Sequence, residues 1–167
     1  MKFVVDDGGR AAAGFKGSTR DCVARAIAIA SGRPYLEIYD ALNARSSGER
    51  QTVRTRRDGR RQFVRGSSAR DGVLTSRKWF REYMQTLGFR WVATMRIGSG
   101  CTVHLHDGEL PAGRLVVSVS RHLTAVIDGV VHDTHDPQRA TLHYHGAELL
   151  RISRRCVYGY WILEASA

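Results

Sequence analysis

The run STRDCVARAIAIASG at residues 18–32 constrains the fold more than any other part of the chain. Every position from Val23 to Ala30 is apolar except Arg25. A helix that is apolar on all sides must be buried on all sides, so this segment predicts a central helix over about Asp21 to Ser31. Ser18, Thr19 and Asp21 are all suitable N-cap residues, and Gly32 is suited to the C-terminal stop. Other elements must then enclose it.

Those elements are legible as two further helices followed by strands. Pro34 opens a second helix through YLEIYDALNAR, with Leu36, Ile38, Tyr39 and Leu42 as its apolar face. A third runs from a cap at about Thr75 to Leu87, with Gly88 as its stop. After Gly88 the segments FRWVATM, TVHLH, RLVVSVS, HLTAVID, VVHDT and CVYGYWILEA are rich in β-branched and aromatic residues. Helices followed by strands predict an α+β fold, with helices on one side of an antiparallel sheet. Residues 1–17, rich in Gly and Ala, read as an irregular arm. With no internal repeat and no clean boundary, residues 1–167 read as a single domain.

The net charge is +10. From Arg45 to Arg70, nine arginines against Glu49 and Asp58 concentrate +7 of it. Within this stretch QTVRTRRDGRRQFVR alternates around Asp58-Gly59, a hairpin signal. Residues 45–72 therefore read as an Arg-rich hairpin or loop insertion. Arg54, Arg56, Arg57, Arg60, Arg61 and Arg65 are candidates to hold nucleic acid or an acidic partner. The lone aromatic there, Phe63, gives no signal of base stacking. No apolar run has membrane-spanning length and the first residues lack a signal-peptide pattern, so a cytoplasmic protein without membrane attachment is expected. Cys22, Cys101 and Cys156 are too few and scattered for a disulfide framework, and reduced thiols are expected.

Cys22 lies at the start of the apolar helix. Unpaired N–H groups and the helix dipole there favour a thiolate, the nucleophilic form of the side chain. Asp21 works against this, unless its carboxylate is used as the cap. A tight turn at Asp128-Gly129 pairs Val126 with Val131, Thr124 with Asp133 and His122 with His135. Alternation then puts His122, Thr124, Asp133 and His135 on one face, and Leu123, Ala125, Ile127 and Val130 on the core face. Asp133 comes within diagonal reach of the His122 ring, where a carboxylate fixes the tautomer and stabilises an imidazolium. Cys101 reads as an incidental thiol and Cys156 as a core or edge-strand residue. The pairs His104/His106 and His143/His145, with His132, His135 and Asp136, have spacings open to zinc. There is no Cys pair and no His-Glu helical motif beside them. Polar strand faces are the default, and no metal or cofactor is assigned.

The order of a Cys at a buried helix start, a His on a strand and an Asp on the next strand resembles the papain-like thiol peptidases. DCVARAIAIASGRPYLEIYDAL, VVSVSRHLTAVIDGVVHDT and CVYGYW are similar to a group of largely uncharacterised papain-like proteins of bacteriophage and bacterial genomes. The resemblance covers the first two helices and about residues 110–163. It implies Cys22 as nucleophile, His122 as general base and Asp133 as the orienting residue. It also implies a cysteine peptidase or amidase working through a thioester acyl-enzyme on a protein or peptide substrate, in a bacterial or phage-infected cell. Papain-type enzymes carry a Gln before the Cys and often a Trp after it. Here GFKGSTRDC has no Gln and Val23 follows the Cys. Lys16, Ser18, Thr19 or backbone amides, that of Cys22 among them, are left as oxyanion donors. The alternative is a non-catalytic phage accessory protein on the same fold, binding through its arginines.

Overall fold

The structure, a computed structural model, describes residues 1–48, 52–55, 58–64, 68–145 and 148–164, with backbone only for 52–55, 61–64, 143–145 and 148–151. In chain order the elements are β1 (Lys2–Val5), α1 (Cys22–Ser31), α2 (Tyr35–Ser46), β2 (Thr52–Thr55), β3 (Arg61–Val64), α3 (Lys78–Thr86) and β4 (Phe89–Ala93). They continue with β5 (Arg114–Val119), β6 (His122–Ile127), β7 (Val130–Asp133), β8 (Thr141–His145), β9 (Glu148–Ile152) and β10 (Val157–Leu163). The fold is α+β. A six-stranded sheet has the order β1-β7-β6-β5-β10-β4, antiparallel throughout except for the parallel β1–β7 pair.

α1 packs against β6 and β5. Its Val23, Ala24, Ile27 and Ala30 are buried with Ile38 and Leu42 of α2, Phe80 and Met84 of α3, and Val116, Leu123, Ala125 and Trp161 of the sheet. Leu115, Val117, Val119, Val126, Val131 and Val157 form a second core on the opposite face, covered by Leu105 with Val103 and Leu110 beside it. Both faces are therefore dry. That is why Leu115, Val116 and Val117 form an unbroken apolar run rather than an alternating one. The C-terminus of α1 is held by Arg114 of β5, whose Nε and Nη2 donate to the Ala30 and Ile29 carbonyls, each at 2.6 Å. A cation there satisfies orphan carbonyls and complements the helix dipole.

The β6–β7 turn follows its sequence signal. Asp128 and Gly129 both take positive φ, 47° and 78°, and Val126 faces Val131. Other expectations are corrected. Residues 1–17 are irregular only from Asp6 onward: Lys2–Val5 pairs in parallel with β7, Lys2 on Val130 and Val5 on Asp133. A parallel partner so distant in the chain has no local turn to announce it. In α2 the buried residues are Tyr35, Ile38, Leu42 and Ser46, while Leu36 is exposed, so the apolar stripe begins one residue earlier. α3 starts at Lys78, with Thr75 and Ser76 in the turn before it. TVHLH is not a strand. His104 makes one bridge to Cys156, and the Glu109 carboxylate takes its N–H at 2.6 Å. The β8–β9 hairpin was absent from the expected strands. In the Arg-rich segment Thr55 pairs with Arg61, so β2 and β3 are joined by residues 56–60 rather than by Asp58-Gly59 alone.

The expectation of three reduced thiols also fails. Cys101 and Cys156 form a disulfide, with Cα atoms 5.8 Å apart. Residues 103–105 run beside 155–157, with Leu105 N–H on the Arg155 carbonyl and Val157 N–H on the Val103 carbonyl. This long-range pairing brings the two thiols together, and sequence spacing carries no trace of it. No helix among the described residues is long and apolar enough to cross a membrane.

Candidate functional site

Cys22 is the first residue of α1 and carries the free thiol. As the first helical residue, its N–H has no intrahelical acceptor. Asp21 is not the side-chain cap that its position suggests. Its buried carboxylate instead accepts hydrogen bonds from Arg10 Nε at 2.6 Å, Arg25 Nε at 2.9 Å and the Tyr35 hydroxyl at 2.7 Å. Burial opposes the Asp21 charge, but the Tyr35 hydroxyl and the two guanidinium groups outweigh it and hold the carboxyl below its ordinary range. Its negative charge is thus neutralised by the two arginines beside it.

His122 opens β6 directly after a tight turn at Ser120-Arg121. Its Nε2 lies 2.6 Å from Oδ2 of Asp133, the last residue of β7, which is 4% exposed. Asp133 Oδ1 accepts from the Thr134 N–H at 2.7 Å and from Arg25 Nη1 at 3.2 Å. With Nε2 committed to Asp133, Nδ1 is the ring nitrogen left for Cys22, whose thiol lies at the same cleft and is influenced by the imidazole and by the backbone N–H of Leu123. Cys22, His122 and Asp133 are therefore brought together.

The electrostatics follow from these contacts. Burial pushes the Cys22 thiol up, but the His122 hydrogen bond, the Leu123 amide and the charges of His122 and Arg25 outweigh it, and the pKa falls below the ordinary thiol value. Burial pushes His122 down, and the bonds to Asp133 and Cys22 reverse this and raise it to about 9. Asp133 is held below its ordinary value because its bond to His122 overcomes burial. Both shifts favour the thiolate and imidazolium forms of the pair.

Arg25 is the residue whose role the sequence did not reveal. Its side chain is 8% exposed and joins Asp21 to Asp133, so that charges alternate from Arg10 through Asp21, Arg25 and Asp133 to His122 and Cys22. The one signal was a single charge in an otherwise apolar helix.

The thiol opens on a cleft of about 750 Å³, walled by Thr19, Arg20, Val73, Ser118 and Tyr158. It leads into a recess of about 230 Å³ lined by Leu123, Tyr158, Trp91 and Trp161. The two tryptophan rings are 5.2 Å apart, and Trp91 lies over Gly159, where any Cβ would enter its ring. Of the oxyanion donors considered, Thr19 and the Cys22 amide lie at the cleft. Ser18 is exposed and not among the residues lining it, and Lys16 borders a separate cavity with Asp21 and Tyr35.

The histidines go to separate partners. His104 lies 3.2 Å from Glu109, His132 lies 3.2 Å from Asp6, and the His135 ring is 5.1 Å from that of His122. Among the described residues no three His, Cys, Asp or Glu side chains converge on a metal position. The side chains of His143 and His145 lie outside the described set. In the Arg-rich segment Arg60 is exposed, and Arg54 and Arg61 are described by backbone only. Arg56, Arg57 and Arg65 lie outside the described residues. No family model, curated protein or solved structure matches this chain.

Proposed function

We propose that the protein is a thiol-dependent hydrolase, a cysteine peptidase or amidase with a papain-like arrangement of helix and sheet. One observation carries this reading: a thiol at a helix N-terminus, its pKa lowered by an imidazole that a buried carboxylate fixes, with thiol and imidazole on one open cleft. Inert core cysteines have no such partners.

In the mechanism the thiolate of Cys22 attacks a substrate carbonyl, and the oxyanion is met by the free N–H of Cys22. The His122 imidazolium gives its proton to the leaving amine, and a thioester remains on Cys22. The neutral imidazole then takes a proton from water, which attacks the thioester. The acid product leaves, and the thiolate–imidazolium pair is restored. Asp133 keeps the ring oriented and stabilises its charged form, and Arg25 orients Asp133 from behind.

Replacing Asp133 with Asn is expected to slow turnover by about 10²- to 10⁴-fold, less than loss of the thiol, because the ring loses its orientation but the nucleophile remains. The test is a peptide-library digest read by mass spectrometry, with acid-quenched protein mapped for an acyl group on the Cys22 peptide. A thioester at Cys22 that accumulates during turnover supports the reading. Cleavage without any Cys22 adduct, undiminished in Asp133→Asn, contradicts it.

A further inference from the structure

On the side of His122 away from the aromatic recess, the surface falls into a second cleft of about 510 Å³. Its charged walls are His122, His135, Arg121, Arg139, Arg155 and the single acid Asp136. It shares Arg121, His122 and His135 with the thiol cleft, so the two are continuous past the imidazole.

Three features set this cleft apart from an ordinary solvated basic face. First, none of its arginines forms an ion pair among the described residues. Second, the positive charges crowd one another. Arg155 donates from Nη2 to the Ser120 carbonyl at 2.6 Å, its Nε is buried without a partner, and burial and the charge of Arg139 hold its guanidinium below the ordinary value. Third, the backbone is strained where the arginines stand. The described non-glycine residues with positive φ are Arg121 (59°), Asp128 (47°) and Arg139 (50°). Asp tolerates that region through its short polar side chain. Arginine has no such compensation; at Arg121 the two-residue β5–β6 turn demands it, at Arg139 no hairpin turn does, and such strain concentrates at binding sites. Both strained arginines point to the same cleft.

Crowded, unpaired guanidinium groups beside an acyl-transfer site match a planar anion, which Arg binds through two parallel hydrogen bonds. We infer that this cleft is a substrate subsite for a carboxylate, the acidic side chain or free α-carboxyl of a peptide whose neighbouring acyl group is presented to Cys22. The inference rests on the hydrolase reading and adds to it a substrate class, acidic peptides, and a place for their charge.

The test uses thiol-reactive chloroacetyl peptides in matched pairs, Glu against Gln amide, with zero, one or two glycines between electrophile and side chain. The electrophile is constant and only the charge and its reach vary. Arg121 and Arg139 are exposed and make no hydrogen bond or ion pair among the described residues, so Arg121→Gln/Arg139→Gln preserves the fold. At one spacer length the Glu probe is expected to modify wild-type Cys22 about tenfold faster than its Gln partner, and in the double variant the ratio of the two rates is expected to fall to about one. Acetate and inorganic phosphate, added separately, distinguish the anions. Selective slowing of the Glu probe by acetate supports a carboxylate subsite, and protection by phosphate alone overturns it. Equal rates for Glu and Gln probes, with Cys22 still reactive below the ordinary thiol range, overturn the subsite and leave the hydrolase reading standing. A Cys22 inert to both probes overturns the two together.

Discussion

Cys22→Ala is expected to lower turnover by about 10⁴-fold or more, with the fold retained. In enzymes that act through a covalent intermediate, removing the nucleophile costs about as much as removing the whole catalytic group, because the remaining members have nothing to activate. The thiol is only part-buried, at the cleft end of α1, and the change removes one sulfur atom. His122 also loses the thiolate that helps to hold its proton, so its pKa falls from about 9 while the bond to Asp133 remains. Peptide turnover measured beside circular dichroism checks this. Wild-type turnover in the variant would exclude the thioester route.

Arg25→Met is expected to destabilise the protein by about 3–5 kcal/mol, because methionine matches the apolar stem and leaves the carboxylates of Asp21 and Asp133 buried with fewer partners. For a domain of this size that corresponds to a loss of about 6–20 °C in Tm. The double variant Arg25→Met/Asp133→Asn should recover part of the loss, since one unpaired charge has gone with its partner. Asp21 and Asp133 both titrate below their ordinary value of 3.8. Their charges therefore stabilise the folded state above that pH, and the stabilisation is lost as pH falls through the folded values. Without Arg25 the Asp21 value rises, so the acid-side loss begins at higher pH. Urea melts at neutral and acid pH read both effects. Unchanged midpoints in the single variant would mean that Arg25 does not hold the two carboxylates.

These expectations depend on residues of unequal legibility. The span of α1 could be read because an apolar run bounded by cap residues and Gly32 leaves little freedom. The relation of His122 to Asp133 could be read because Asp128-Gly129 fixes a two-residue turn, and a turn fixes register for both strands. Arg25 was visible only as an anomaly, because its meaning lies in Asp21 and Asp133, one turn away and across the fold. The parallel pairing of β1 and the Cys101–Cys156 disulfide were invisible for the same reason: each joins segments far apart in sequence, with no short turn to set the register. The basic cleft gathers arginines from three separate loops, two of them on backbone that favours other residue types. The richest local concentration of arginine, at residues 45–70, drew attention to a different part of the chain.

The central claim is that Cys22 and His122 form a thiolate–imidazolium pair. The direct measurement is the pH dependence of iodoacetamide labelling at Cys22, read by peptide mass spectrometry in wild type and His122→Ala. Labelling follows the thiolate, so the wild-type rate should persist below the ordinary thiol value of 9.0 and fall only as the lowered Cys22 pKa is crossed, with an inflection near 9 as His122 loses its proton. In His122→Ala the profile should move up towards the ordinary thiol range, because the largest lowering influence on Cys22 has been removed. A wild-type profile centred on the ordinary thiol value, unmoved by loss of His122, would contradict the pair and the activity built on it.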